Sequence, residues 1–301
     1  MNSETVTHLP LVSVHIICYN QEHLIGETIE SALDQEYENI EIVVADDGST
    51  DATPSVVESY AKKYPGRVVS ILGHQNVGIT RNSNRGLAKC KGEYIAFLGG
   101  DDLMMKGKIK RQIEHFRSDP DLVMSYHNME VFESGTNNIL RIIRKPYYGG
   151  ATGFIRRGVV NAASATMVRR DCLPKVGFDT SFPVASDWFL SCSVLMNTGR
   201  KIGHIDEVLG RYRRHETNVT GRQSPHFEQG LRDHLNSCLA IVLDHPRYSR
   251  QAQHRMGAIL RGLRHRGEYG LRLRASLRAS FQAKTLLLYI AFMVSFGKLR
   301  L

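Results

Sequence analysis

The chain has 301 residues, 42% hydrophobic and 23% charged, enough for one large domain or for a domain of about 200 to 250 residues with an appendage. Those proportions exclude a collagen-like, a wholly disordered or a multi-span membrane protein. The net charge of +9 is unevenly spread: residues 246–301 hold 12 Lys and Arg against the single acid Glu268, leaving 27 bases and 29 acids elsewhere, so a neutral globular part precedes a basic tail suited to nucleic acid or an anionic membrane face.

The opening residues carry no basic region, and their short apolar run begins a strand pattern, so no signal peptide is expected. Cys18, Cys90, Cys172, Cys192 and Cys238 are odd in number and scattered, which predicts reduced cytosolic thiols instead of a disulfide framework or a cysteine zinc site. LVSVHIIC at 11–18 has the β-branched composition and length of a buried strand. Leu24, Ile25, Ile29, Ala32 and Leu33 then recur at helical spacing, predicting a helix over 22–34. EIVVA at 41–45 reads as a second strand, ended by Asp46-Asp47-Gly48-Ser49-Thr50, and Pro54, Val56, Val57 and Tyr60 continue as a helix. RVVSIL at 67–72 and EYIAFL at 93–98 add two strands around a polar helical segment. This alternation predicts a parallel sheet with crossover helices.

Further on, 105–117 reads as a helix, 122–132 as a strand, and NILRII with KPYYGG, before residue 151, as a hairpin arm. Residues 185–198 read as a helix, VLGRYRRH as a strand entering a polar loop, and 226–280 as Arg-rich helix.

Ligands of open parallel sheets bind beyond the carboxyl ends of the strands. That rule selects Cys18-Tyr19-Asn20, Asp46-Asp47-Gly48 and Gly99-Gly100-Asp101-Asp102. Acids at two of these ends suit a ribose or base contact and a divalent cation, because magnesium and manganese take one or two carboxylates plus phosphate oxygens. The two glycines ahead of Asp101 would let a ligand approach the backbone.

These segments resemble the opening of family 2 glycosyltransferases, whose catalytic domains share the GT-A nucleotide-diphospho-sugar transferase fold. The resemblance runs from LVSVHIICYNQEHLIGETIESALDQEYENIEIVVADDGSTDAT through NVGITRNSNRGLAKCKGEYIAFLGGDD, LPKVGFDTSF, ASDWFL and GRYRRHETN, roughly residues 10–220. It implies an α/β fold with a Rossmann-like, mostly parallel sheet flanked by helices: a catalytic domain over 10–220 and an Arg-rich helical region over 221–301.

Carried over residue by residue, the resemblance implies that Tyr19 and Asp46 hold the nucleotide base, with Cys18, Asn20 and Glu22 among the nucleotide-sugar contacts. Asp101 and Asp102 match the acidic motif that meets the ribose-diphosphate and its Mg2+ or Mn2+, Asp102 as the direct ligand. Asp187 in ASDWF matches the catalytic base, and His215 in YRRHETN matches a histidine loop that closes over the diphosphate and its metal. Two positions depart from the family pattern. Gly99 stands where an acid is usual, and Ser83 where many relatives have Arg, so that Arg81 or Arg85 supplies the phosphate-facing charge.

The residues alone leave plainer roles open: Asp47 as a helix cap, the Asp101-Asp102 pair as a turn, Asp187 as a helix-start acid, His215 as a surface histidine and Trp188 as core or acceptor wall. The implied activity is inverting transfer from a nucleotide-diphospho-sugar, UDP foremost, to an acceptor hydroxyl, with a lipid-linked saccharide of bacterial O-antigen, capsule or exopolysaccharide synthesis as acceptor. The competing reading is a non-catalytic scaffold whose tail grips nucleic acid. Stacking aromatics are sparse there, only Tyr248, Tyr269 and Phe281 over 246–284, so no nucleic acid is expected. A sugar-phosphate nucleotidyltransferase lacks its Gly-rich loop after the first strand. LLLYIAFMVSF at 286–296 is too short to span a bilayer, for which about 20 residues are needed. With its basic flanks, the segment 284–301 is expected to lie in the interface, placing the protein on the cytoplasmic face of the membrane. A C-terminal helix packed on the catalytic domain is the alternative.

Overall fold

The computed structural model describes residues 9–158, 162–216, 218–219, 221, 224–262 and 269–294. Four strands, β1 (Val12–Cys18), β2 (Ile40–Asp46), β3 (Val68–Leu72) and β4 (Tyr94–Gly99), alternate with α1 (Ile25–Leu33), α2 (Thr53–Lys63) and α3 (Ile79–Leu87). They pair in parallel in the spatial order β3-β2-β1-β4. β5 (Leu103–Met104), α4 (Lys108–Ser118), β6 (Leu122–Glu133), β7 (Ile139–Ile143), α5 (Ala151–Arg157) and β8 (Met167–Arg169) follow, then α6 (Asp187–Thr198) and β9 (Lys201–Arg214). The sheet continues from β4 through β8, β6 and β9 to β5, with β7 paired to β6. β8 is antiparallel to both β4 and β6, while β6 and β9 run parallel over most of their length. The expected sheet is therefore present and mostly parallel in its long pairings, with short antiparallel inserts.

Both faces of this sheet are covered, as helical crossovers require. Side chains alternate between the faces: Ile42 and Val44 join Ala96, Leu98, Ile25, Ile29, Ile109 and Ile113 in one core, while Val43 joins Ile95, Phe97, Tyr126, Trp188 and Cys192 in the other. α1 buries Ile25, Thr28, Ile29 and Ala32 on a single stripe, and Pro54 opens α2 where its missing N–H costs nothing.

Beyond β9 come α7 (Phe227–Asp244), α8 (Ser249–Gly262), α9 (Tyr269–Ala279) and α10 (Ala283–Val294). Cys238 and Ile241 of α7 and Ala252 and Ile259 of α8 lie in the same core cluster as Trp188 and Cys192. Among the described residues no helix is long and apolar enough to cross a membrane.

Candidate active site

The ends of β1, β2 and β4 are neighbours, so the three selected segments meet at one edge. Asn20 has φ of 50°, a left-handed conformation that asparagine tolerates better than most residues. Two bonds hold it there: the Asn20 N–H donates to Ser49 Oγ at 2.8 Å, and the Thr50 N–H donates to Asn20 Oδ1 at 2.9 Å. This staple leaves Tyr19 exposed at 43%, with its ring free to stack. Glu22 faces the next turn, where its carboxylate accepts from the Ala52 N–H at 2.8 Å. Cys18 is buried against the Ala45 carbonyl and Asp46, and burial followed by the Asp46 charge pushes its thiol pKa well above the ordinary value.

The two acids of the second segment point to different partners, as successive strand residues do. Asp46 is fully buried and accepts from both the N–H and the hydroxyl of Ser49. Asp47 accepts from the N–H groups of Val77 and Gly78, each at 2.9 Å, and stands 3.9 Å from Arg85. It thus ties down the loop that opens α3. Arg81 is exposed, and Arg85 is half-buried beside Asp47.

The third segment is the most densely bonded. Asp102 is 3% exposed; Ser164 Oγ donates to one carboxylate oxygen, and the Arg213 N–H donates to the other at 3.0 Å. Burial pushes the Asp102 carboxyl well above the usual carboxylate range, and the neighbouring Asp101 adds to this against the two donors. Asp101 Oδ2 lies 2.8 Å from His215 Nε2 and 3.1 Å from Asn218 Nδ2. Arg213 also donates through Nε to the Asp101 carbonyl at 2.8 Å and pairs with Glu27. At Gly100 a Cβ would stand 2.3 Å from Gln21 Oε1 and 2.8 Å from Cys18 Cβ, so the glycine serves close packing on β1. At Gly99 a Cβ would stand 2.9 Å from Asp101 Oδ1, so the Asp101 carboxylate lies where a side chain would begin.

Asp187 opens α6, half-buried; its neighbour Ser186 is tied to the start of α3, with Ser186 Oγ and Thr80 Oγ1 2.9 Å apart. From behind, α7 supports the same point. Fully buried Asp233 accepts from the N–H groups of Val184 and Ala185 at 2.7 and 2.9 Å, just ahead of Asp187. His234 meets the Trp188 ring edge-on at 5.9 Å; burial lowers its pKa, against the opposing charge of Asp187. Trp188 is 2% exposed and belongs to the core.

Ser164, Arg213 and Asn218 thus bond to the Asp101-Asp102 pair and Asp233 to the turn ahead of Asp187, and none of the four was among the expected site residues. Arg213 and Asn218 lie within GRYRRHETN, the motif from which only His215 was taken, while Ser164 and Asp233 come from a turn and a helix remote in sequence with no local pattern to announce them.

The family described as glycosyl transferase family 2 matches residues 13–177, more than half of the chain. The chain belongs to this family. Over 120 residues, 40% of this chain and 46% of the relative, it is 40% identical to the Escherichia coli UDP-Glc:alpha-D-GlcNAc-diphosphoundecaprenol beta-1,3-glucosyltransferase WfaP. It spans about 60% of the length of mycobacterial relatives that it matches at 28% identity. Among solved structures, Staphylococcus aureus TarS residues 1–349 in complex with UDP-GlcNAc superposes with a TM-score of 0.67 at 17% identity, covering 95% of this chain and 88% of that one. The Pyrobaculum calidifontis mannosyltransferase PcManGT with GDP-Man and Mn2+ gives 0.63 at 16%, covering 97% and 81%. These likenesses establish the GT-A fold.

A divalent cation is implied by the fold, and the donor set is compatible with one. Among the described residues no group of three or more His, Cys, Asp or Glu side chains converges as a closed metal cage. Magnesium and manganese need no such cage, since substrate phosphates and water fill most of their positions. Two adjacent acids, one of them buried against its own charge, are the kind of site that a cation relieves.

Proposed function

We propose that the protein transfers a sugar, with inversion, from a UDP-sugar to a hydroxyl of a lipid-linked saccharide in the assembly of a bacterial surface polysaccharide. The observation that carries this reading is the buried Asp102 beside Asp101 at the end of β4, at the edge where β1 ends and leaves Tyr19 exposed. UDP is favoured because WfaP is a UDP-Glc glucosyltransferase and TarS is solved in complex with UDP-GlcNAc, and the lipid-linked acceptor because that of WfaP is alpha-D-GlcNAc-diphosphoundecaprenol.

In this reading Tyr19 and Asp46 seat the base. Asp102, with His215 and Asp101, would hold the Mg2+ or Mn2+ that offsets the charge of the diphosphate leaving group. Ser164 and the Arg213 N–H keep the Asp102 carboxylate oriented. Asp187 takes the proton of the acceptor hydroxyl as that oxygen bonds to the anomeric carbon, while the bond from that carbon to the diphosphate oxygen breaks on the opposite face. His215 stays over the departing diphosphate, held through Asn218. Residues 10–220 would form the catalytic domain and 221–301 a helical basic region. Through 284–301 the protein would attach to the cytoplasmic membrane face; residues 295–301 of that segment lie outside the described residues.

A thermal-shift screen of UDP, GDP and dTDP with and without manganese tests the donor reading, with stabilisation by UDP plus manganese as the expected result. Stabilisation by GDP or dTDP alone would replace the donor, and no shift with any nucleotide would remove the catalytic reading.

A further inference from the structure

A second concave site lies where α5 and α8 meet the turn between α9 and α10. It is a cleft of about 530 Å3 lined by Arg156, Arg250, His254, Ser280, Phe281 and Gln282. Its walls are braced. Arg261 donates to Gln282 and, at 2.8 Å, to Thr285 Oγ1; Ser276 Oγ donates to the Gly257 carbonyl at 2.7 Å, and Gln282 Nε2 to the His254 carbonyl at 3.2 Å.

What distinguishes the cleft is its charge. α5, α8, α9 and α10 contain no Asp or Glu, and among the described residues no carboxylate pairs with Arg156 or Arg250. Burial lowers the His254 pKa, and the charges of Arg156 and Arg261 lower it further, so the cations lie near enough to act on one another. Like charges gathered without a counter-charge are stabilised by an anion.

The rim supplies the second half of the argument. Phe281 is 72% exposed, and on α10 Leu287, Ile290 and Met293 are 68%, 49% and 50% exposed. Their spacing of three places these helix residues on one side, while Thr285, on the opposite side, is fully buried. An apolar stripe beside a cationic cleft matches a ligand with a charged head and an apolar body.

We propose that this cleft seats the phosphate of an anionic phospholipid headgroup between Arg156 and Arg250, with Phe281 and the exposed stripe of α10 at the acyl boundary. The inference rests on the membrane attachment proposed above and gives it a specific headgroup site. A free phosphate would use the arginines but leave the apolar rim without a role.

The test is vesicle sedimentation of the full chain at low salt, with phosphatidylcholine alone or with about 30% phosphatidylglycerol. The parent should partition onto the anionic vesicles. Arg156→Gln with Arg250→Gln should weaken partitioning about 30-fold, the loss of two basic contacts near anionic lipid, with an unchanged melting curve and unchanged UDP response. Should the double variant melt early, Phe281→Ser, at an exposed side chain, should by itself weaken partitioning about tenfold. Parent-like partitioning by a folded double variant would overturn the cleft and leave the membrane attachment standing. Failure of the parent to bind anionic vesicles would overturn both. Arginine-dependent capture of a DNA duplex, or competition by millimolar inorganic phosphate without vesicle binding, would also overturn the lipid assignment.

Discussion

The two concave regions have opposite electrostatic designs. At the strand ends, Asp46, Asp47, Asp101 and Asp102 are gathered, and each is held by an identified donor. At the cleft beside α8, arginines are gathered and α5, α8, α9 and α10 carry no acid. The acid edge is preorganised, with nearly every oxygen already oriented, as a site for charge transfer must be. The basic cleft leaves its guanidinium groups to an outside partner. Net charge therefore says little about this protein until the two signs are assigned to their places.

The sharpest way to break the contrast is to neutralise the buried acid. Asp102→Asn should abolish the manganese-dependent gain in UDP affinity, measured by calorimetry. The same variant should melt higher than the parent without ligand, because the carboxylate is held against burial and against Asp101. The sign can be checked by pH. A carboxyl whose folded pKa is raised gives up stability as pH climbs past its unfolded value of about 3.9, so the advantage of the asparagine should grow from acidic to neutral pH. Asp187→Asn should keep donor binding but lower turnover about 100-fold, read as a fall in kcat with little change in donor KM.

Asp233 tests whether the acid edge depends on the helices behind it. Asp233→Ala strands the Val184 and Ala185 N–H groups and should cost about 3 kcal/mol of stability in urea unfolding. If Asp233 also positions Asp187, Asp233→Asn, which keeps an acceptor, should recover turnover along with stability. A smaller effect is expected at Lys108, a buried base with an amide partner: its amine donates to Gln112 Oε1 at 2.8 Å, and burial lowers its pKa to about 7. Between about pH 7 and 10.5 the unfolded chain binds a proton that the folded chain does not, so stability rises with pH across that window. Lys108→Met should therefore gain most in melting temperature at or below neutral pH, and the gain should shrink toward pH 10.

Where the sequence was legible, the physics was local. β1 and β2 are short, mostly β-branched or apolar runs buried on both faces, β3 and β4 are largely apolar runs of similar length, and each lies within a residue or two of its expected bounds. Some elements are only as long as their neighbours make them. β5 is two residues defined by pairing with β9, β8 is three residues wedged between β4 and β6, and β9 begins well before VLGRYRRH because β6 extends it. At the site, residue types could be read from the strand-end rule and the family resemblance, but not the side that each one faces. Asp46, the last residue of β2, turns toward Ser49, while Asp47, just past the strand, holds the loop that opens α3. Ser164 and Asp233 act on partners 62 and 49 residues away, beyond any periodic signal.

The bonds from Asp233 to Val184 and Ala185 bear on how parts of such enzymes can be exchanged. A chimera joined at residue 220 would take its acidic motif from one parent and the back support of the turn before Asp187 from the other. A donor segment carried through residue 244 would keep the two together. Recombination within α/β transferases of this kind is therefore expected to succeed after α7 and to fail ahead of it, even though the family match ends at residue 177.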